Sequence, residues 1–195
     1  MKRALKQGPG AYLHVEKDNL FHLPLINTMA TWKQLISEKD KRNQERVNLF
    51  ELVSNIINEQ SENLQKRRNN IAVTIPADEC WVGDEGLLKF ALQAFLQNLN
   101  SRNNHAEMSI CFYPSDDFSL LVIRYEGKIL LRQELDPVFK NPRSLTTKCR
   151  QELYVGWHSL RILGGFLAIP YHEQEGKFLT IGLPTNHGQQ EMNRA

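Results

Sequence analysis

Histidines, cysteines and tryptophans are the first residues to test for chemistry, and their spacing excludes more than it offers. His14, His22, His105, His158, His172 and His187 are scattered through the chain. None stands in an HExxH or other paired spacing that would set two imidazoles on one helix face for a metal. No Ser/His/Asp or Cys/His set for nucleophilic catalysis can be assembled from neighbouring motifs. Cys80, Cys111 and Cys149 are odd in number, widely spaced and without a CxxC pair. They read as free thiols of a reducing cytosol, not as zinc ligands or a disulfide framework. Lys66-Arg67-Arg68 is a short basic run at a predicted helix end, where it reads as a solvated cap. Trp32, Trp81 and Trp157 read as core or interface residues, not ligand platforms.

The bulk numbers agree. The chain has 195 residues, enough for one sizeable domain and a helical appendage. Its 24 basic and 22 acidic residues leave a net charge of +2, which gives no electrostatic reason for a nucleic-acid partner. No apolar run approaches the ~20 residues that span a bilayer. Met1 to Gly10 is basic but has no apolar stretch of a secretory signal. The sequence therefore leads us to expect a soluble, cytoplasmic protein.

The elements follow from periodicity. Tyr12 to Lys39 is predicted as a helix with Leu25, Met29, Trp32 and Ile36 on one face, kinked or restarted at Pro24. Glu38 to Arg46 is nearly all charged or polar and reads as a linker or exposed helical turn. A second helix is predicted over Asn48 to Lys66, with Leu49, Leu52, Val53, Ile56 and Ile57 inward. Ile71 to Ile75 alternates as a strand, ended by Pro76. Asp84 is a good N-cap for a third helix, Glu85 to Leu99, which the polar run Asn100 to Asn104 terminates. Met108 to Tyr113 and Phe118 to Tyr125 read as a hairpin turning at Pro114 to Asp117. Ile129 to Leu135 reads as a third strand or a short extended segment, and Asp136 to Lys148 as irregular. A helix over Gln151 to Leu163 is ended by Gly164-Gly165. A last hairpin joins Phe166 to Tyr171 with Phe178 to Leu183, and the tail, residues 185–195, reads as disordered. The expected class is α+β, a two-layer α/β sandwich with an N-terminal helix. Residues 1–45 form a docking or dimerisation segment in this reading, and residues 46–184 the domain.

Four segments in this order resemble the catalytic, ATP-binding domain of bacterial sensor histidine kinases. Arg46 to Val53 looks like its VDLxELV opening. Val82-Gly83-Asp84 with Leu87 to Leu92 resembles its GDxxxLxQVLxNLLxNA helix. Leu135 to Pro142 resembles the IFxPF segment before the ATP lid. Gly164 to Ile169 and Gly176 to Pro184 resemble the closing HGGxIxVxSxxGxGTxFxIxLP.

The resemblance implies a nucleotide site, and the residues keep only part of it. The Mg²⁺-holding asparagine falls on Asn98, whose side-chain carbonyl would join an octahedral oxygen shell; it also reads as a polar residue near a helix end. The first asparagine of that motif falls on Ala94 and its lysine on Ser101. The adenine loop, DxGxG in the family, falls on Tyr125 to Ile129, with Tyr125 for the aspartate and Ile129 for the second glycine. The stretch also reads as a plain hairpin turn at Glu126-Gly127-Lys128. The phosphate-binding GxGLG falls on Arg150-Gln151-Glu152-Leu153-Tyr154, where no glycine survives and Glu152 sets a negative charge. Gly156 is a poor substitute, and Lys148 and Arg150 read as surface charge. In the phosphoacceptor motif HExxxPL, Pro24-Leu25 is present, but the histidine falls on Asn19 and its acidic neighbour on Leu20. His22 lies off register and is the remaining candidate phosphoacceptor. Only Glu38 to Arg46 separates the first helix from the domain, which leaves no second dimerisation helix.

The expectation is a degenerate histidine-kinase-like protein of a two-component pathway, similar to the pseudokinase regions of Rcs-type phosphorelays. It binds no cofactor in this reading and acts through protein partners: a sensor kinase, a response-regulator receiver domain, or a second copy of itself. The alternatives are a divergent kinase or phosphotransferase using ATP and Mg²⁺ through Asn98 and His22, and a nucleic-acid-binding regulator.

Overall fold

The computed structural model describes residues 44–128, 130–140, 148–170 and 176–185. The predicted helix Tyr12–Lys39, with His22, Leu25, Met29, Trp32 and Ile36, lies outside them, as do Ile129 and the tail beyond Thr185.

The chain enters through β1 (Glu45–Asn48) and α1 (Leu49–Glu59). Asn48 caps α1: its side chain accepts from Glu51 N at 2.9 Å. Leu49, Leu52, Val53 and Ile56 form the buried stripe of α1. The predicted Asn48–Lys66 helix divides at Gln60, and α2 (Ser61–Arg67) follows. Arg68 ends α2 in the left-handed region, φ 56°. Next come β2 (Asn70–Thr74), β3 (Cys80–Gly83) and the long α3 (Glu85–Arg102). Asp84 caps α3 by accepting from Leu87 N at 3.0 Å, as its residue type predicts. Then follow β4 (Glu107–Pro114), β5 (Phe118–Tyr125), α4 (Arg132–Lys140), α5 (Lys148–Ile162), β6 (Phe166–Ala168) and β7 (Phe178–Pro184).

Five strands form one sheet in the order β2-β4-β5-β7-β6. Only β2 and β4 run parallel; the other three pairs are antiparallel. A parallel pair needs a long crossover, and α3 supplies it. β1 and β3 form a separate antiparallel ribbon that the sequence reading gave to a linker and left unassigned. Trp81 ties the ribbon to the sheet, donating Nε1–H to Pro184 O at 2.9 Å. Ile110, Leu121, Ile123, Leu179 and Ile181 from the sheet meet Leu88, Leu92, Phe95 and Leu99 from α3, and all are fully buried. The two-layer α+β expectation holds.

One segment differs. Arg132–Lys140 is a helix, where the sequence suggested a strand and then irregular chain. The apolar run before it misled: Leu130 and Leu135, not alternate residues, carry the burial. Pro137 lies within α4 and removes one backbone N–H there without ending it. An Arg132–Asp136 ion pair at 3.3 Å supports its first turn.

Candidate functional site

The residues that the resemblance singled out converge on the C-terminal half of α3, the end of β5 and the start of α5. Ala91, Ala94, Asn98 and Arg102 recur at three- and four-residue spacing, so they share one stripe of α3.

At Ala94 this stripe is closed by α5. A Cβ placed on Gly156 would come 2.7 Å from Ala94 Cβ and 3.4 Å from Ala91 O. Gly156 is thus the residue that lets α5 lie against the backbone of α3. Ala94, standing where the motif has its first asparagine, is spent on that contact. Asn98 is present on the stripe and is 3% exposed. Its backbone carbonyl accepts from Ser101 Oγ at 2.8 Å, so Ser101, which stands in the lysine position, turns back on its own helix.

Tyr125 holds the place of the adenine-binding aspartate. It is 4% exposed and belongs to the hydrophobic core. Its hydroxyl oxygen accepts from Leu130 N at 2.9 Å. Burial pushes the phenol's pKa up, and the Leu130 N–H pulls the other way. The ring is therefore neutral and its oxygen is already engaged inside the protein.

The turn that follows is not a hairpin; it leads from β5 to α4. Gly127 takes φ 107°, and a Cβ there would meet Asn103 Oδ1 at 2.4 Å. That oxygen accepts from Lys128 N at 2.6 Å. The glycine is thus required by the protein's own turn. Arg102 at the end of α3 pairs with Glu134 of α4. Two clasps, Asn103–Lys128 and Arg102–Glu134, hold this loop onto the end of α3, and Tyr125–Leu130 ties it back to β5.

The segment on which the phosphate-binding motif falls is helical. α5 starts at Lys148, so Arg150–Tyr154 is already helical. Only the first four N–H groups of a helix lack an internal partner, and those of Glu152 onward are consumed. At the other end Gly164 and Gly165 act as the sequence predicts. They close α5 through Gly164 N to Arg161 O at 3.0 Å and Gly165 N to Leu160 O at 2.9 Å.

The base-binding carboxylate is a buried phenol, the phosphate turn is helix, and the partner of Asn98 is a methyl group under α5. His158 offers no substitute. It stacks edge-on with Tyr154 and Trp157 at 4.3 and 4.8 Å, and burial first, then Arg161, lowers its pKa.

The sequence reading missed the asparagines that organise this end of α3. Asn69 Nδ2 donates to Asn100 Oδ1 at 2.7 Å and Asn103 O at 3.0 Å, while its Oδ1 accepts from Ala106 N at 2.8 Å. The run Asn100 to Asn104 was the available signal, read there only as a terminator.

No family model and no curated protein matches the sequence. Solved structures do. The catalytic domain of histidine kinase ThkA superposes with a TM-score of 0.63 at 16% identity, over 73% of this chain and 96% of that one. Acinetobacter baumannii histidine kinase AdeS gives 0.67 at 16% identity, over 92% of this chain and 87% of its own. The mycobacterial sensor histidine kinase MprB gives 0.57 at 22% identity, over 72% and 97%. With the order of elements and the sheet described above, the chain has the fold of a histidine-kinase catalytic domain.

Proposed function

We propose that this chain is a non-catalytic, histidine-kinase-like component of a two-component or phosphorelay pathway, acting in the cytoplasm by protein–protein recognition. Its fold supports a place in such a pathway. The observation that carries the non-catalytic reading is Tyr125: the position that would accept from adenine holds a buried ring whose hydroxyl is taken by Leu130 N. A neutral phenol engaged in this way cannot act as the carboxylate that the family uses. Loss of the phosphate turn to helix α5 points the same way.

Recognition in this reading belongs to the segment before the domain. Leu25, Met29, Trp32 and Ile36 make an amphipathic set that suits helix–helix pairing. Its partner would be a sensor kinase, a receiver domain or a second copy, bound by surface occupation and without phosphoryl transfer.

Isothermal titration of the full chain with Mg²⁺-ATP, repeated with Asn98→Ala, tests this. No heat up to millimolar nucleotide is expected. Binding that Asn98→Ala abolishes would overturn the reading, and His22 would then be assayed as phosphoacceptor.

A further inference from the structure

The sheet buries one side against the helices. Met108, Ile110, Leu121, Ile123, Leu179 and Ile181 face that way and belong to the core. Side chains alternate along a strand, so the residues between them point to the other side. The register lines these up. Tyr113 of β4, Leu120 of β5, Gly182 of β7 and Phe166 of β6 stand opposite one another, one row across four strands. Cys111, Val122, Thr180 and Ala168 make the next row. None of the eight belongs to the core cluster.

The first row is the telling one. A Cβ on Gly182 would strike the Phe166 ring, so that ring lies across β7. It also meets Phe118 edge-on, with ring centroids 5.0 Å apart. Among the described residues Tyr113 and Phe166 are the exposed large apolar side chains, at 40% and 39%, and both fall in this row. Single exposed rings need no explanation, but two in one row with Leu120 between them mark a contact surface.

The chain's own N-terminal segment is tethered beside it. β1 starts at Glu45, and its ribbon is fastened where Trp81 donates to Pro184 O at 2.9 Å. Pro184 pairs with Phe118, two residues along from Gly182 and Leu120 of the row. Eight residues, 37–44, join Ile36 to Glu45. They reach at most about 30 Å, and four strands span only about 15 Å. Leu25, Met29, Trp32 and Ile36 recur at helical spacing, and a helical stripe of that length runs about 17 Å, close to the width of the row. The chain after Thr185 departs from the same end of the sheet, but residues 186–195 hold a single large apolar residue, Met192.

We infer that residues 25–36 of this chain seat on the open side of the sheet, their apolar stripe against Tyr113, Leu120 and Phe166. The tether holds the segment at high effective concentration, so the seat needs little intrinsic affinity. On the reading above, a partner must lift the segment off the sheet to reach the same apolar set. The seat itself requires neither nucleotide nor partner.

Hydrogen exchange of the full chain, followed by mass spectrometry, tests the seat. Amides of residues 25–36 should exchange at least about tenfold more slowly in the parent than in Phe166→Asp or Tyr113→Asp. Lys66→Glu, exposed on the helical layer, should leave them unchanged. Trp32→Asp lies outside the domain and keeps the test decisive if the sheet variants do not fold. It should raise hydroxyl-radical labelling of Tyr113 and Phe166 about twofold or more. Unprotected amides over 25–36 in the parent, or exchange and labelling that these variants do not move, would overturn the inference. So would protection that grows with protein concentration alongside a dimer in sedimentation, which would give the face to a second copy. No outcome here bears on the nucleotide titration, so the two readings can fail separately.

Discussion

The two flanks of α3 make opposite use of the same helix. The flank under α5 carries Ala91, Ala94, Asn98 and Arg102, and it is closed by a glycine contact, a buried tyrosine and an ion pair. The flank toward α1 and α2 carries Lys89, Gln93, Gln97 and Asn100. There Glu59 accepts from Lys89 at 2.6 Å and Gln93 at 2.7 Å, and a polar cavity opens beyond them. Close packing dominates the first flank, while the second presents more amides and charges.

Tyr125→Asp breaks the comparison hardest. It supplies the residue type that the resembled motif has at this position, but in a site built around a ring. The substitution removes a core aromatic and buries a carboxyl group, which should cost about 3–5 kcal/mol by urea denaturation. A variant as stable as the parent that also binds Mg²⁺-ATP would show that the closed flank is a nucleotide site in waiting.

Much of this contrast was legible in the sequence, and the parts that were not share a cause. Caps and hairpins rest on local chemistry, so Asp84, the β4–β5 turn and Gly164-Gly165 could be read directly. That Tyr125 stands where the resembled motif has an aspartate was equally visible. What Tyr125 does was not, because its partner Leu130 became predictable only once Arg132–Lys140 was known to be a helix. The β1–β3 ribbon escaped because its pairing spans distant residues with little alternation in either strand. Gly156 read as a poor substitute for a phosphate-turn glycine; its role depends on Ala94, some sixty residues away in sequence but 2.7 Å from its would-be Cβ. The break at Gln60 leaves no sequence mark, since Glu59-Gln60-Ser61 contains neither proline nor glycine.

Gly156→Val tests how tightly the first flank is shut. The added Cβ must displace Ala94, and overpacking of this kind should cost about 1–3 kcal/mol. Gln97→Ala on the other flank is the matched control and should stay within about 0.5 kcal/mol. Equal thermal midpoints for the two variants would mean that α5 rides on α3 with slack, and that the flanks do not differ as described.

Tyr125→Phe gives the smallest effect and the sharpest one, because its size depends on pH. At neutral pH the variant leaves Leu130 N without its acceptor, a loss of roughly 1 kcal/mol. The pKa of Tyr125 is raised in the folded state, chiefly by burial. The native state then holds its proton where the unfolded chain has released it, so the stabilising contribution is complete below the unfolded value of about 10. It is lost as pH rises from there through the higher folded value. Phenylalanine has no proton to lose. The stability gap between parent and variant should therefore be constant up to about pH 10 and shrink above it, as followed by chemical denaturation across that range. Arg102 and Glu134 both act on this phenol and oppose each other, so the direction rests on burial. A gap that widens at alkaline pH would mean that the phenolate is favoured in the fold. The closed flank would then be a polar site after all.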